Sequence, residues 1–264
     1  MSTDLVFALS LILKMTISAA FVLAATITAE RAGALVGGLV ATLPIGAGPV
    51  YVFLALDHDA QFIAAGAVAS LAINAVNVVF TLIYALLAQK RALAISLQVA
   101  FLVWLALTWL IYSIEWTLLG AGLMNIVVLG GCVWIARPLR HVRMPRVRAR
   151  WYELAMRAAL VAVLVGVVVS FSFRIGPGGS GILAVFPMVL ISIMIILHRR
   201  VGGRASAAVL ANAITGLIGF AFACVALHFA AVPLGSSLAL TLALAVSIGW
   251  GLLVYAARLR DLDL

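Results

Sequence analysis

Laid over itself with a shift of 143 residues, the chain pairs Lys14 with Arg157, Arg31 with Arg174, Gly33 with Gly176, Gly38 with Gly181, Ala41 with Ala184 and Pro44 with Pro187, without a gap. A chain that repeats over about a hundred residues is built from two copies of one packing unit, and the copies must fit each other. In apolar sequence, such duplication is characteristic of transporter-type membrane bundles.

The rest of the sequence requires a bilayer. The 264 residues are 66% hydrophobic and 9% charged, with mean hydropathy +1.28, against roughly 25% charged in a soluble domain. The net charge of +9 sits in short clusters between apolar runs, which orient a membrane protein and do not form a nucleic-acid-binding face. The runs 5–29, 33–56, 60–88, 92–114, 117–137, 152–173, 181–198, 205–229 and 234–257 each approach or exceed the roughly 20 residues needed to cross the hydrocarbon. Lipid offers the backbone no hydrogen bonds, so the runs are expected to be helices. The first lacks a basic leader and a small-residue cleavage site, so it is read as a span and not as a removable signal. Cys132 and Cys224 lie inside apolar runs and read as small buried hydrophobes.

Charge placement gives the orientation. With nine spans and an external N-terminus, one side of the membrane receives Arg31, Lys90, Arg91, the cations from Arg137 to Arg150, Arg199, Arg200, Arg204, Arg258 and Arg260, while the other receives only Arg174. Positive charge marks the cytoplasmic side, so the C-terminus is expected inside a bacterial-type inner (plasma) membrane. The basic stretch Pro138 to Arg150 suits anionic lipid headgroups and divides the halves. The expected fold is all-α and polytopic: repeat one over 1–116, a linker helix and basic loop over 117–151, and repeat two over 152–264. Four spans per repeat and a single connecting helix force the second copy to enter from the opposite face.

The unit formed by a Lys- or Arg-bearing, Ala-rich helix, then Gly-Leu/Ile-x-Ala-x-x-Pro, then two further helices, resembles the small four-helix GlpM-like membrane proteins. Arg157, Gly181, Ile182, Pro187 and Trp250 carry the resemblance in the second half, and Lys14, Gly38, Leu39 and Pro44 carry it in the first. The resemblance implies a fold and little chemistry.

Polar groups at membrane depth are the candidate site. Lys14 lies nine residues into its run, roughly 14 Å from the end, where a cation costs about 2.5–3.5 kcal/mol unless paired or hydrated. Arg157 is its partner in register. All eight carboxylates fall at span ends, in loops or in tails, so embedded cations appear without embedded anions; this favours an anionic solute. Pro44 and Pro187 interrupt the second helix of each copy, and broken helices commonly cradle substrates. Asn74 and Asn77 match Asn212 and Thr215, two polar groups one helical turn apart in each third helix; they either bond between helices or line a path. Trp109 is paired with Trp250 in the fourth helices. Asp57-His58-Asp59 mixes carboxylates and imidazole, but three adjacent residues in one loop make a poor metal site.

No zinc-protease motif, phosphate loop or nucleophile elbow is present, so an enzyme is not expected, nor a cofactor or metal. The expected function is secondary transport of a small anionic or zwitterionic solute, bound by Lys14, Arg157, Asn74, Asn77, Asn212 and Thr215, with Pro44 and Pro187 as helix breaks. The alternatives are a passive anion channel and an accessory protein of envelope assembly. Expected partners are membrane lipids and the solute; a homodimer is left open.

Overall fold

The computed structural model describes residues 3–31, 46–140 and 151–260. Among them every regular element is a helix: α1 Thr3–Arg31, α2 Ala47–Asp57, α3 Ala60–Ala88, α4 Leu93–Tyr112, α5 Leu118–Ala136 with a short 3-10 turn to Leu139, α6 Trp151–Ala184, α7 Met188–Val201, α8 Gly203–Leu234 and α9 Ser236–Arg260. Seven stretches are long and apolar enough to cross a membrane, so this is a multi-pass membrane protein.

The boundaries differ from the apolar runs in two places. The run expected at 33–56 is described only from Gly46 onward, and its described helix is the short α2. The runs expected at 152–173 and 181–198 belong to one 51-residue apolar stretch, Trp151–Val201. That stretch bends at Gly176, whose φ of 66° is open to glycine and strained for any side chain. Pro177 then opens the next turns, where its missing N–H costs nothing. Gly202, with φ 82°, separates α7 from α8 in the same way. Side-chain caps start other helices: Asp59 accepts from Phe62 N at 2.8 Å and Thr117 from Gly120 N at 3.1 Å.

Two long helices, α3 and α8, form the centre. His228 Nδ1 donates to Ala64 O at 2.9 Å, Asn74 Nδ2 donates to Leu217 O at 3.1 Å, and Gly203 lies against Ala88 O. Position rises along one helix as it falls along the other, so the pair is antiparallel, crossing near the midpoint of each. The segment 177–201 runs beside α3 in the same direction, with Gly181 on Gly66 and Tyr84 on Met194 and His198. The outer helices are held by aromatic donors. Trp104 of α4 donates to Asn77 Oδ1 at 2.7 Å, and Trp250 of α9 donates to Thr215 O at 2.8 Å. Trp109, paired with Trp250 in the sequence, is 74% exposed, and the indole that grips the third helix is Trp104, five residues earlier. Apolar low-complexity sequence offers several registers, and only packing chooses among them. α1 lies on α6, with Met15 over Gly166. Cys132 and Cys224 are buried free thiols.

Small residues set how closely these helices approach. A Cβ on Gly203 would fall 1.9 Å from Ala88 O, and one on Gly181 would fall 2.2 Å from Gly66 O. Backbone cannot yield as a flexible side chain does, so overpacking here costs about 1–3 kcal/mol. Gly181→Ala and Gly203→Ala are expected to lower the thermal midpoint in detergent by several degrees. Gly216→Ala, at a helical position with open space around it, leaves the midpoint unchanged or raises it. Size-exclusion thermal unfolding of the three variants measures the difference.

Candidate functional site

The helix formed by residues 177–184 stops and α7 begins at Met188, so the chain is interrupted at residues 185–187. Pro187 sits in the break as the residue before α7, with φ −77° and ψ 40°. Its missing N–H and its ring disfavour a continuous helix through this point. The interruption lies alongside Asn77 of α3, well inside the membrane-length helix. Pro44, its partner in register, lies outside the described residues.

An interrupted helix exposes carbonyls that lipid cannot satisfy. Here α3 satisfies them from one face. Ser70 donates to Gly181 O at 2.7 Å and Asn77 Nδ2 to Val185 O at 2.8 Å; two turns further along, Tyr84 donates to Met194 O, inside α7, at 3.2 Å. Ser70, Asn77 and Tyr84 stand seven residues apart, two turns each, so they form a single polar stripe. Each has a further polar contact: Ser70 with Tyr51 at 2.6 Å, Asn77 with Trp104, and Tyr84 with His198 at 2.9 Å and Ser206 at 3.0 Å. Phe186 packs edge-on against Trp104, ring centroids 5.0 Å apart, closing one wall of the break.

The other predicted polar residues occupy neighbouring places. Asn74 is fully buried, and its Nδ2 donates to Asn125 Oδ1 of α5 at 2.9 Å as well as to Leu217 O. Asn125 in turn donates to Leu71 O at 2.7 Å. No donor among the described residues reaches Asn74 Oδ1. Asn212 and Thr215 are half-buried and bond within α8, Asn212 to Ala208 O at 2.9 Å and Thr215 to Asn212 O at 2.6 Å.

Charges gather at the two ends. Lys14 Nζ of α1 meets the Asp57 carboxylate at the end of α2, 2.6 Å from Oδ1. Arg200, near the end of α7, forks onto Glu153 in the first turn of α6 at 2.9 and 3.1 Å. Glu153 is 2% exposed. The pairs lie at opposite ends of the part of α6 before its bend at Gly176: His58, beside Asp57, bonds to Ser172 at 2.8 Å, nineteen residues beyond Glu153. Thus the expectation of embedded cations without anions is corrected for Lys14, because the chain folds Asp57 back onto it. Arg157 is half-buried one turn after Glu153.

Sequence reasoning counted Asp57, Glu153 and Arg200 as loop and span-end residues. The signal was present: under the same shift of 143 residues, Asp57 falls on Arg200. A change of sign at that position hid it. Trp104, Asn125 and Ser70 left no such signal. Asp57-His58-Asp59 does not converge on a metal: Asp57 takes Lys14, His58 takes Ser172 and Asp59 caps α3.

Comparison with protein-family models, with curated proteins and with solved structures gives no match.

The Lys14–Asp57 side chains are 15% and 21% exposed, so removing one partner strands a charge with little water, at a cost of about 3–5 kcal/mol. Lys14→Met and Asp57→Leu are each expected to destabilise strongly, while the double variant recovers most of the loss. A double-mutant cycle of denaturant unfolding in micelles reads the coupling.

Proposed function

We propose that the protein is a secondary transporter of the inner membrane, in which two inverted four-helix repeats around a linker helix give a small charged solute alternating access to a central site. The proposed plan has nine crossings, with α2 and α7 each completing the second span of its repeat, the N-terminus outside and the C-terminus in the cytoplasm. The GlpM-like resemblance of each half fits this plan.

One observation carries the reading. Two ion pairs stand at opposite ends of the bundle, each joining a repeat's first helix to its second, on either side of a helix broken at residues 185–187. A carrier needs a closure at each face and a site between them. Exposure of one face at a time follows if one pair parts while the other holds. Supporting the inverted repeats, α3 and α8 cross antiparallel near their midpoints, and Trp104 and Trp250 grip the matched positions Asn77 and Thr215.

Of the two solute classes, the zwitterion suits this charge pattern better. Parting Lys14 from Asp57 leaves a cation and a carboxylate that both need partners. A zwitterion supplies one of each sign, whereas a simple anion strands Asp57 in a poorly hydrated place. Arg157, one turn from Glu153 at the other end, meets the solute's negative end once that face opens, and the break at Pro187 frees the backbone that Asn77 now holds. A structural role in envelope assembly is favoured by one observation, the interhelical bonding of Asn74, Asn77 and Asn125.

Purified protein in liposomes, assayed with labelled zwitterions and anions, tests the proposal. The expected result is saturable uptake with counterflow, preferring zwitterions, and reduced at least tenfold in Lys14→Gln and Arg157→Gln. Flux that never saturates indicates a channel. No flux of any solute, or full uptake in both variants, overturns the transporter and its site.

A further inference from the structure

His58 stands between α2 and α3, outside the spanning helices, and its contacts fix its chemistry. The ring stacks on Phe62, centroids 3.8 Å apart and planes 7° from parallel, with Phe173 tilted against it at 4.3 Å. Its Nε2 lies 2.8 Å from Ser172 Oγ. Ser172 Oγ also lies 3.0 Å from Val169 O, which can only accept. Both contacts are hydrogen bonds only if the serine proton points to Val169 and Nε2–H donates to Ser172. The neutral ring therefore carries its proton on Nε2 and keeps the Nδ1 lone pair.

Charged groups surround this ring. Asp57 precedes it on α2 and is held by Lys14 of α1; Asp59 follows it and caps α3; Arg174 of α6 is exposed two residues past Ser172. A proton taken up at Nδ1 makes an imidazolium beside Asp57, which then has two cations competing for one carboxylate. The new charge repels Lys14 and draws Asp57 from it. Because Nε2–H donates to Ser172 in either state, the ring keeps its seat while its charge changes.

We infer that His58 is a proton-binding site whose protonation at Nδ1 weakens the Lys14–Asp57 closure at the outer end, so that the coupling ion is the proton. The coupling role rests on the transport reading above; the effect of the proton on the ion pair does not. Burial, the largest influence, lowers the His58 pKa below its ordinary 6.5; Asp57 and Asp59 pull it back up and Lys14 pushes it down. A histidine with a depressed pKa stabilises the fold fully above pH 6.5, and that contribution is lost as pH falls through the folded value.

The test needs no solute. Imidazole nitrogen NMR of the full chain is expected to show Nε2–H at pH 7.5 and a titration of His58 below 6.5. Hydrogen exchange, corrected for intrinsic rates with an unstructured peptide, is expected to show at least tenfold loss of protection in α2 between pH 7 and pH 5. His58→Gln keeps a donor for Ser172 but cannot take the charge, and is expected to abolish that pH dependence. Superimposable wild-type and His58→Gln profiles overturn the inference, as does an Nδ1–H tautomer at pH 7.5. If His58→Gln does not fold, the wild-type tautomer and exchange profile decide alone. Acid-sensitive α2 in a protein that moves no solute sinks transport and leaves the switch; solute uptake with acid-insensitive α2 does the reverse.

Discussion

A backbone carbonyl released inside a bilayer must find a donor within the protein, because lipid provides none. The break at residues 185–187 creates that demand, and Ser70 and Asn77 on α3 meet it, with Tyr84 of the same stripe tying down α7 beyond the break. Much else follows from this one relation. It holds 177–201 parallel to α3, it places Gly181 against Gly66, and it engages Asn77 so that Trp104 can dock α4 through the amide oxygen. An apolar stripe at the same positions would pack equally well on a continuous helix and would not sustain an interrupted one.

Polar groups at membrane depth divide into those spent on architecture and those with chemistry to spare. Asn77 is engaged at both its amide nitrogen and its oxygen and acts as the brace of the break. Asn74 keeps an acceptor oxygen that no donor among the described residues reaches, at the crossing of α3, α5 and α8. A buried acceptor without a partner costs about 1–3 kcal/mol, so a donor group that reached this oxygen would recover that cost. The charged pairs follow the same logic at the ends: each couples two helices while both partners are present, and each becomes costly once they separate.

Under the shift of 143 residues Asp57 and Arg200 exchange sign, yet each forms an ion pair with a long helix that precedes it. What must be kept at that position is a charge that reaches the first helix. Which sign it bears is free, provided the first helix carries the complement: Lys14 in one half, Glu153 in the other. The complement has moved by one turn, since Lys14 aligns with Arg157 and not with Glu153. A comparison that scores identity sees a mismatch where the physical contact is retained.

The sequence alone determined the solvent, the helices and the punctuation. Runs of about twenty apolar residues can only be helices in lipid, and Pro187 already marked the break because its backbone chemistry is local. Tertiary structure decided the partners. That Asp57 reaches Lys14, that Trp104 and not Trp109 grips the third helix, and that Asn77 serves a carbonyl more than a hundred residues away depend on which faces meet. The reason is that periodicity fixes a residue's direction from its own helix axis, whereas the neighbour it meets is set by close packing along the whole length of both helices.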